Sequence, residues 1–225
     1  MEYKLLTGRE NLYLAQYKNH LIHKDCLEDL KRLQLLAKKE IGADLEILSS
    51  FRDFSRQELI WNNKAKGLRD LYDSEGSLLV YDDLTKEELL RSILRWSAIP
   101  GASRHHWGCD IDIFDKNKIE AQKVQLLPSE SAPGGAMFDL HKWLGEKILN
   151  KESFGFFRPY DQDFGGINIE KWHLSYSPVS SLLLNSYSID LFIQNLEESS
   201  IELKGLILEN VEDIFQLYIK TITLY

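Results

Sequence analysis

The sequence predicts a mixed helix-and-strand protein, and three observations carry that reading. Amphipathic helical stretches recur along the chain, each ended by glycine or proline. Short apolar runs of strand length lie between them. After Pro178 the texture becomes helical to the end. The chain has 225 residues, 44% hydrophobic and 28% charged, which suits one large globular domain or a domain with an appendage. A chain of this length buries a sizeable core without staples, so a bound metal would serve chemistry rather than folding.

Taken in order, Gly8 to Asn19 reads as a lead-in segment with a short helix. From Asp25, a plausible N-cap, Leu27, Leu30, Leu33, Leu36/Ala37 and Ile41 recur at helical spacing, and Gly42 ends the run. Leu45 to Phe51 has strand character. Ser55 to Lys66 is helical and closes at Gly67. Leu78 to Tyr81 is a short strand or loop edge. Thr85 and Glu88 fit a capping box, and the helix they open carries Leu89, Leu90, Ile93 and Leu94. Pro100-Gly101 stops the chain, and Ile111, Ile113 and Phe114 form a core strand. Pro128 to Gly135 is a loop, followed by a helix marked by Met137, Leu140, Leu144 and Ile148. Phe154–Phe157 and Ile167–Tyr176 read as strands, with Asp161 to Gly166 turning between them. Residues 182–225 read as helices, and from Asp190 onward they hold seven acids against two lysines.

Composition narrows the partners. A formal net charge of −8 disfavours phosphate backbones and anionic membranes, so no nucleic acid is expected. Cys26 and Cys109, the two cysteines, suggest no disulfide framework. No apolar stretch is long enough to span a membrane, and the first residues show no secretory pattern. If Met1 is the native start, the expected location is cytoplasmic. If the sequence is trimmed, it is periplasmic or cell-wall.

The chemistry concentrates in Ser103-Arg104-His105-His106-Trp107-Gly108-Cys109-Asp110-Ile111-Asp112 and in Glu170-Lys171-Trp172-His173. His105, Asp112 and His173 are ligand types that zinc accepts, and three protein ligands leave a fourth position open for catalysis. Glu170 is the candidate proton carrier. In a regular strand, residues three apart point to opposite faces, so Glu170 and His173 share a site only if the strand bends, bulges or begins between them. His106 reads as a decoy, because neighbouring side chains in an extended segment diverge. Asp110 shares a strand face with Asp112 and could orient a ligand.

Ser103-x-His105-x-x-Gly108-x-x-x-Asp112 resembles the signature of the zinc D-Ala-D-Ala carboxypeptidases of the vancomycin-resistance (VanY) type. Glu170-x-Trp172-His173 resembles their second signature. Ser49-Ser50-Phe51-Arg52-Asp53-Phe54-Ser55-Arg56-Gln57 is similar to an upstream segment of the same family. The three motifs stand in the family's order and cover residues 45–178. Asp110 stands where a small residue is usual, Lys171 where proline is usual, and Ser50 where glycine is usual.

The resemblance implies an α+β fold in which a small, mainly antiparallel sheet holds the zinc and helices flank it. The chain is read as a metallopeptidase domain over residues 1–180, of which 45–178 carry the resemblance, and a helical C-terminal extension over residues 181–225 that lies outside it and packs on the same domain or offers a partner surface. It makes His105, Asp112 and His173 the ligands of one zinc ion per chain and Glu170 the general base. Arg52 becomes the oxyanion partner, and Ser103 and Gln57 line the pocket near the substrate's terminal carboxylate. The implied activity is hydrolysis of the terminal D-amino acid of peptidoglycan stem peptides or muropeptides, with D,D- or L,D-specificity. The alternatives are an endopeptidase and an inactive zinc-binding domain that only binds peptide. Oligomeric state is not legible.

Overall fold

A four-stranded antiparallel sheet carries the two chemical stretches on its central strands. The computed structural model describes residues 3–224. The strands are β1 (Leu14–Tyr17), β2 (His20–His23), β3 (Leu45–Ser49), β4 (Asp110–Asp115), β5 (Phe156–Phe157) and β6 (His173–Tyr176). β1 and β2 form a separate hairpin. The main sheet has the order β3-β4-β6-β5, and each of its neighbouring pairs is antiparallel. With helices around it, the protein is α+β.

Alternation in β4 explains its double duty. Ile111 and Ile113 point into the core at 0% exposure, while Asp110 and Asp112 share the opposite face. Asp112 lies across from His173 on one side and Ser49 on the other. The register of β3 against β4 shifts between Ile47 and Ser49, an irregularity of the kind that re-aims side chains beside a site.

The helix Leu27–Ile41 buries Leu30, Leu33 and Ala37 and ends on Gly42 in the left-handed region. Its N-cap is Cys26 rather than Asp25, because Lys24–Cys26 forms a 3-10 turn and the side chain of His23 accepts the Asp25 N–H. The helix Phe54–Ala65 starts from Asp53, whose carboxylate accepts the Arg56 N–H at 2.7 Å. Thr85 and Glu88 form the expected capping box at the head of the helix Lys86–Trp96.

Other local expectations change, and the expected loop from Pro128 to Gly135 opens with a short helix, Pro128–Ser131. Residues 14–23 form the β1–β2 hairpin instead of a helix, since Lys18 takes a positive φ of 52° and turns the chain between two short strands. Leu78 makes only an isolated bridge to Tyr72. Between Ile167 and Tyr176 only the last four residues are strand.

The segment after β6 is helical: Ser177–Ser186, Ile189–Glu198, Lys204–Glu209, Val211–Ile214 and a π-helical turn Phe215–Lys220. It holds the chain that leads into the central motif. The Tyr187 hydroxyl donates to the Gly101 carbonyl at 2.7 Å, and the Asn195 amide donates to the Pro100 carbonyl at 2.7 Å. Gly101 has a φ of 85°, and a Cβ there would fall 2.0 Å from Asn195 Oδ1. Trp61 reaches the same region, donating to the Glu202 carbonyl at 2.9 Å. Phe192, Leu196 and Ile207 join the same hydrophobic core as Trp61, Ile93 and Ile99.

Candidate active site

The central motif is a turn, not a strand, until Asp110. Arg104–Trp107 forms a short 3-10 helix capped by Gly108 at φ 70°. A Cβ on Gly108 would meet Leu14 Cδ2 at 2.4 Å, so the hairpin needs glycine there. The Gly108 carbonyl accepts the His23 N–H at 2.8 Å, which ties the hairpin to the turn. This turn aims two adjacent histidines apart. His106 is held between the Gly101 N–H, 2.9 Å from Nε2, and the Arg52 carbonyl, 2.6 Å from Nδ1. Both its nitrogens are thereby occupied, and burial lowers it to about 4. It is a neutral strut.

His105 faces the other way. Its Nδ1 lies 3.0 Å from the Ser50 carbonyl, which accepts that N–H and leaves Nε2 free toward Asp112 Oδ2 at 3.4 Å. Burial, then the charge of Arg52, holds His105 well below the usual histidine range, so it is a neutral donor. His173 has the complementary arrangement. Its Nε2 lies 3.0 Å from Asp110 Oδ1, and its Nδ1 lies 3.5 Å from Asp112 Oδ1 and 3.3 Å from Glu170 Oε2. Burial alone favours the neutral ring, but the hydrogen bonds to Asp110 and Glu170 and the charge of Asp112 outweigh it and raise His173 to about 10. Burial, with Glu170 nearby, pushes Asp112 up to about 6.

Glu170 and His173 meet because β6 begins between them. The His173 N–H bonds back to the Glu170 carbonyl at 3.2 Å, and the Glu170 N–H bonds to the Tyr160 carbonyl at 3.0 Å. The turn puts the two side chains on one side, as a strand beginning there allows.

Donor atoms of His105, Asp112 and His173 all lie within 4.8 Å of one another, and the three residues are buried. A tetrahedral zinc with bonds of about 2.0–2.1 Å needs donors about 3.3–3.4 Å apart. His105 Nε2 lies 3.4 Å from one Asp112 oxygen and His173 Nδ1 lies 3.5 Å from the other, so the carboxylate stands between the two imidazoles at about that spacing. Each histidine's other nitrogen is engaged by an acceptor, the arrangement that fixes a metal-binding tautomer. The donor set therefore fits a divalent metal.

Around these residues opens a cleft of about 370 Å³, lined by Arg52, Lys64, Arg69, Tyr160, Glu170 and Trp172 among others. Arg52 points its guanidinium at Gln57 Oε1, 2.8 Å from Nη1, and Ser49 Oγ, 3.1 Å from Nη2. Gln57 is fully buried behind Arg52, with its amide donating to the Ala98 carbonyl at 2.7 Å. Ser103 is buried at the head of the turn. Neither is among the residues lining the cleft; Gln57 holds the arginine instead.

Sequence reasoning missed Tyr160, Lys64 and Arg69. The Tyr160 ring packs 5.1 Å from the His173 ring at a steep angle. Lys64 and Arg69 carry no local signal, because charge at the end of a helix reads as a solvated face. Asp110 was legible only as a neighbour. In the structure it is fully buried, bonded to His173 and, at 2.7 Å, to Arg104 Nε. Arg104 passes the contact on to Ser175 Oγ at 2.6 Å.

The fold and the donor set define a class: α+β proteins with a candidate metal centre at the floor of an open cleft. Comparison with known proteins narrows it. The model of the VanY D-alanyl-D-alanine carboxypeptidase family matches residues 19–179, and the chain belongs to that family. The match ends where the C-terminal helices begin. Two uncharacterized proteins of Haemophilus influenzae are 35% identical over 124 residues (54% of this chain, 92% of the relative) and 39% identical over 101 residues (43% and 68%). VanYB in complex with D-alanine-D-alanine is similar in fold, with a TM-score of 0.55 and 19% identity, over 83% of this chain and 90% of that one. A VanY D,D-pentapeptidase mutant from a VanB-type resistance cassette, in complex with Zn(II), gives 0.53 and 21%, over 81% and 93%. Among the described residues, no helix is long and apolar enough to cross a membrane.

Proposed function

We propose that this chain is a zinc-dependent carboxypeptidase that removes the terminal D-amino acid from peptidoglycan stem peptides. The observation that carries the reading is the convergence of His105, Asp112 and His173 within 4.8 Å, with the Glu170 carboxylate 3.3 Å from His173 at the floor of an open cleft. Membership of the VanY family supplies the substrate class. In this reading His105 Nε2, Asp112 and His173 Nδ1 hold the zinc. When bound, zinc lowers the pKa of a water to about 7 and polarises the scissile carbonyl.

The chain's own residues do the rest. Glu170 accepts a proton from the attacking water as its oxygen bonds to the carbonyl carbon. It returns that proton to the amine nitrogen as the C–N bond breaks. Arg52, held in orientation by Gln57 and Ser49, sets a positive charge toward the carbonyl oxygen as that oxygen gains negative charge. Asp110 and the Ser50 carbonyl fix the two imidazoles, so that the ligand nitrogens need no reorganisation. Tyr160 and Trp172 form the apolar sides of the floor.

The test is incubation with defined tripeptide, tetrapeptide and pentapeptide stems, read by mass spectrometry. Loss of one terminal D-amino acid is expected, and the stem that loses it assigns D,D- or L,D-specificity. Cleavage only inside the peptide would make the protein an endopeptidase. Intact peptides under zinc-replete conditions would overturn the proposal.

A further inference from the structure

The cleft holds more positive charge than the proposed reaction uses. Arg52, Lys64 and Arg69 all line it, and its carboxylates are Asp112 and Glu170, both at the metal end. Among the described residues, no carboxylate stands within ion-pair distance of any of the three cations. Lys64 donates to Ser97 Oγ at 2.7 Å, Arg52 to Gln57 and Ser49, and Arg69 is exposed. Many exposed lysines and arginines stand outside any ion pair, but other well-buried cations of the chain do not. Arg104 pairs with Asp110, Arg95 with Asp163, and Lys147 with both Glu40 and Glu152. With 35 acidic residues against 27 basic ones, acidic partners are plentiful. Three unpaired cations in one cleft of an acidic protein indicate that their counter-charge comes with the ligand.

One terminal carboxylate does not account for three cations, since a single guanidinium, here that of Arg52 beside the scissile bond, satisfies a carboxylate with two parallel hydrogen bonds. Arg52 donates its backbone N–H to the His105 carbonyl at 3.1 Å and is the one of the three with Asp112 in its field, so it belongs to the reacting end. Lys64 lies in the last turn of the helix Phe54–Ala65, and Arg69 follows that helix. These two enter the cleft from the end of the helix opposite to Arg52. The geometry points to a second carboxylate subsite, formed by Lys64 and Arg69, that recognises an acidic residue of the peptide other than its terminus. The favoured substrates are then stem peptides whose acidic residues keep free carboxylates, over the same peptides with those groups amidated. This rests on the proposed stem-peptide reading and names the substrate class within it.

The electrostatics agree with the geometry. Burial, then repulsion from Arg69, lowers Lys64 to about 8, with Glu170 opposing and Arg52 adding to the fall. A half-buried ammonium beside two guanidinium groups is an unfavourable arrangement in the empty cleft. A bound carboxylate relieves it and raises the lysine's affinity for its proton.

The experiment separates binding from turnover. Binding of a stem peptide with free acidic residues, and of its amidated twin, is measured by calorimetry on the full-length Glu170→Ala protein. Hydrolysis of the same pair is followed on the unmodified protein. The free-acid peptide is expected to bind at least about 10-fold more tightly at pH 7, as for hydrogen bonds to charged groups. Lys64→Met with Arg69→Gln should bring that preference close to unity while metal content and the circular-dichroism spectrum stay those of the parent, which a misfolded variant would not show. Arg69→Gln alone, at an exposed position, should remove part of it. Equal binding of the twins, or a preference that survives in the double variant, overturns the subsite. Discrimination in binding without hydrolysis would retain the subsite and reject the carboxypeptidase reading. Hydrolysis without discrimination would do the reverse, and failure to bind either peptide would reject both.

Discussion

The two ends of the cleft are built on opposite principles. At the end with the candidate metal ligands, charge is fixed by the chain itself. His105 is tied to the Ser50 carbonyl, His173 to Asp110, Asp110 to Arg104, and Arg104 to Ser175, all on or beside the central strands. At the cationic end, Lys64 and Arg69 sit at and beyond the end of a helix, and Lys64 has a single neutral partner. The difference teaches where each end expects its counter-charge. The groups that orient the two histidines are neutralised internally, because reorganisation would raise the barrier. In the proposed subsite, Lys64 and Arg69 have no carboxylate partner among the described residues.

The sharpest way to break the comparison is at Glu170. Glu170→Ala removes the proton carrier and leaves every ligand in place, so turnover should fall about 10²–10⁴-fold with metal content unchanged. Loss of metal in that variant would mean that the carboxylate belongs to the metal site instead.

Asp110 comes next. Asp110→Ala leaves Arg104 buried and without its ion-pair partner, and one Arg104 nitrogen already lacks a hydrogen bond. The cost should be about 3–5 kcal/mol in denaturant unfolding. Zinc affinity should also drop about 10–100-fold as His173 loses its orienting acceptor. Adding Arg104→Leu should recover much of the stability but not the affinity. Recovery of both would show that Asp110 only balances Arg104.

The cationic end is sharpened by pH. Lys64 is charged below about 8 and neutral above it. The preference for a free-acid peptide should therefore be full at pH 7 and decline as pH rises through 8 and beyond. The Lys64→Arg variant should hold its preference across that range. A flat profile in the unmodified protein would exclude Lys64 from recognition.

A further effect lies away from the cleft. His141 is buried with neither ring nitrogen hydrogen-bonded, and burial, then Arg158, lowers it to about 3. The unfolded chain takes up this proton near pH 6.5 and the folded one does not. Stability is therefore intact above about 6.5 and lost toward pH 3, at about 1.4 kcal/mol per pH unit for this group. His141→Leu should shallow the acid limb by about one proton, read from unfolding midpoints between pH 6.5 and 4.

The legible and illegible parts of the molecule divide along the same line. Motif spacing around His105 and Asp112 is visible in sequence because one strand carries the alternation that turns Ile111 inward and Asp112 to the site. Gly42 and the Thr85–Glu88 box were readable because helix ends depend on local chemistry. The Asp25 cap failed by one residue because a 3-10 turn precedes the helix. The hairpin at residues 14–23 was hidden because its strands are four residues each and are fixed by contact with Gly108. Lys64, Arg69 and Tyr160 were invisible for a related reason. Their meaning comes from the cleft that the rest of the fold assembles around them.

The same holds for the C-terminal helices, whose pattern announced only that they were helical. Tyr187 and Asn195 grip Gly101 and Pro100, four and five residues before His105. No local periodicity encodes that grip.

The central claim is that His105, Asp112 and His173 hold one catalytic zinc, and metal content tests it most directly. Elemental analysis of protein purified without chelators should give one zinc per chain, retained in Glu170→Ala and lost or much weakened in His173→Ala. Folded, unmodified protein that takes up no zinc under replete conditions would contradict the account.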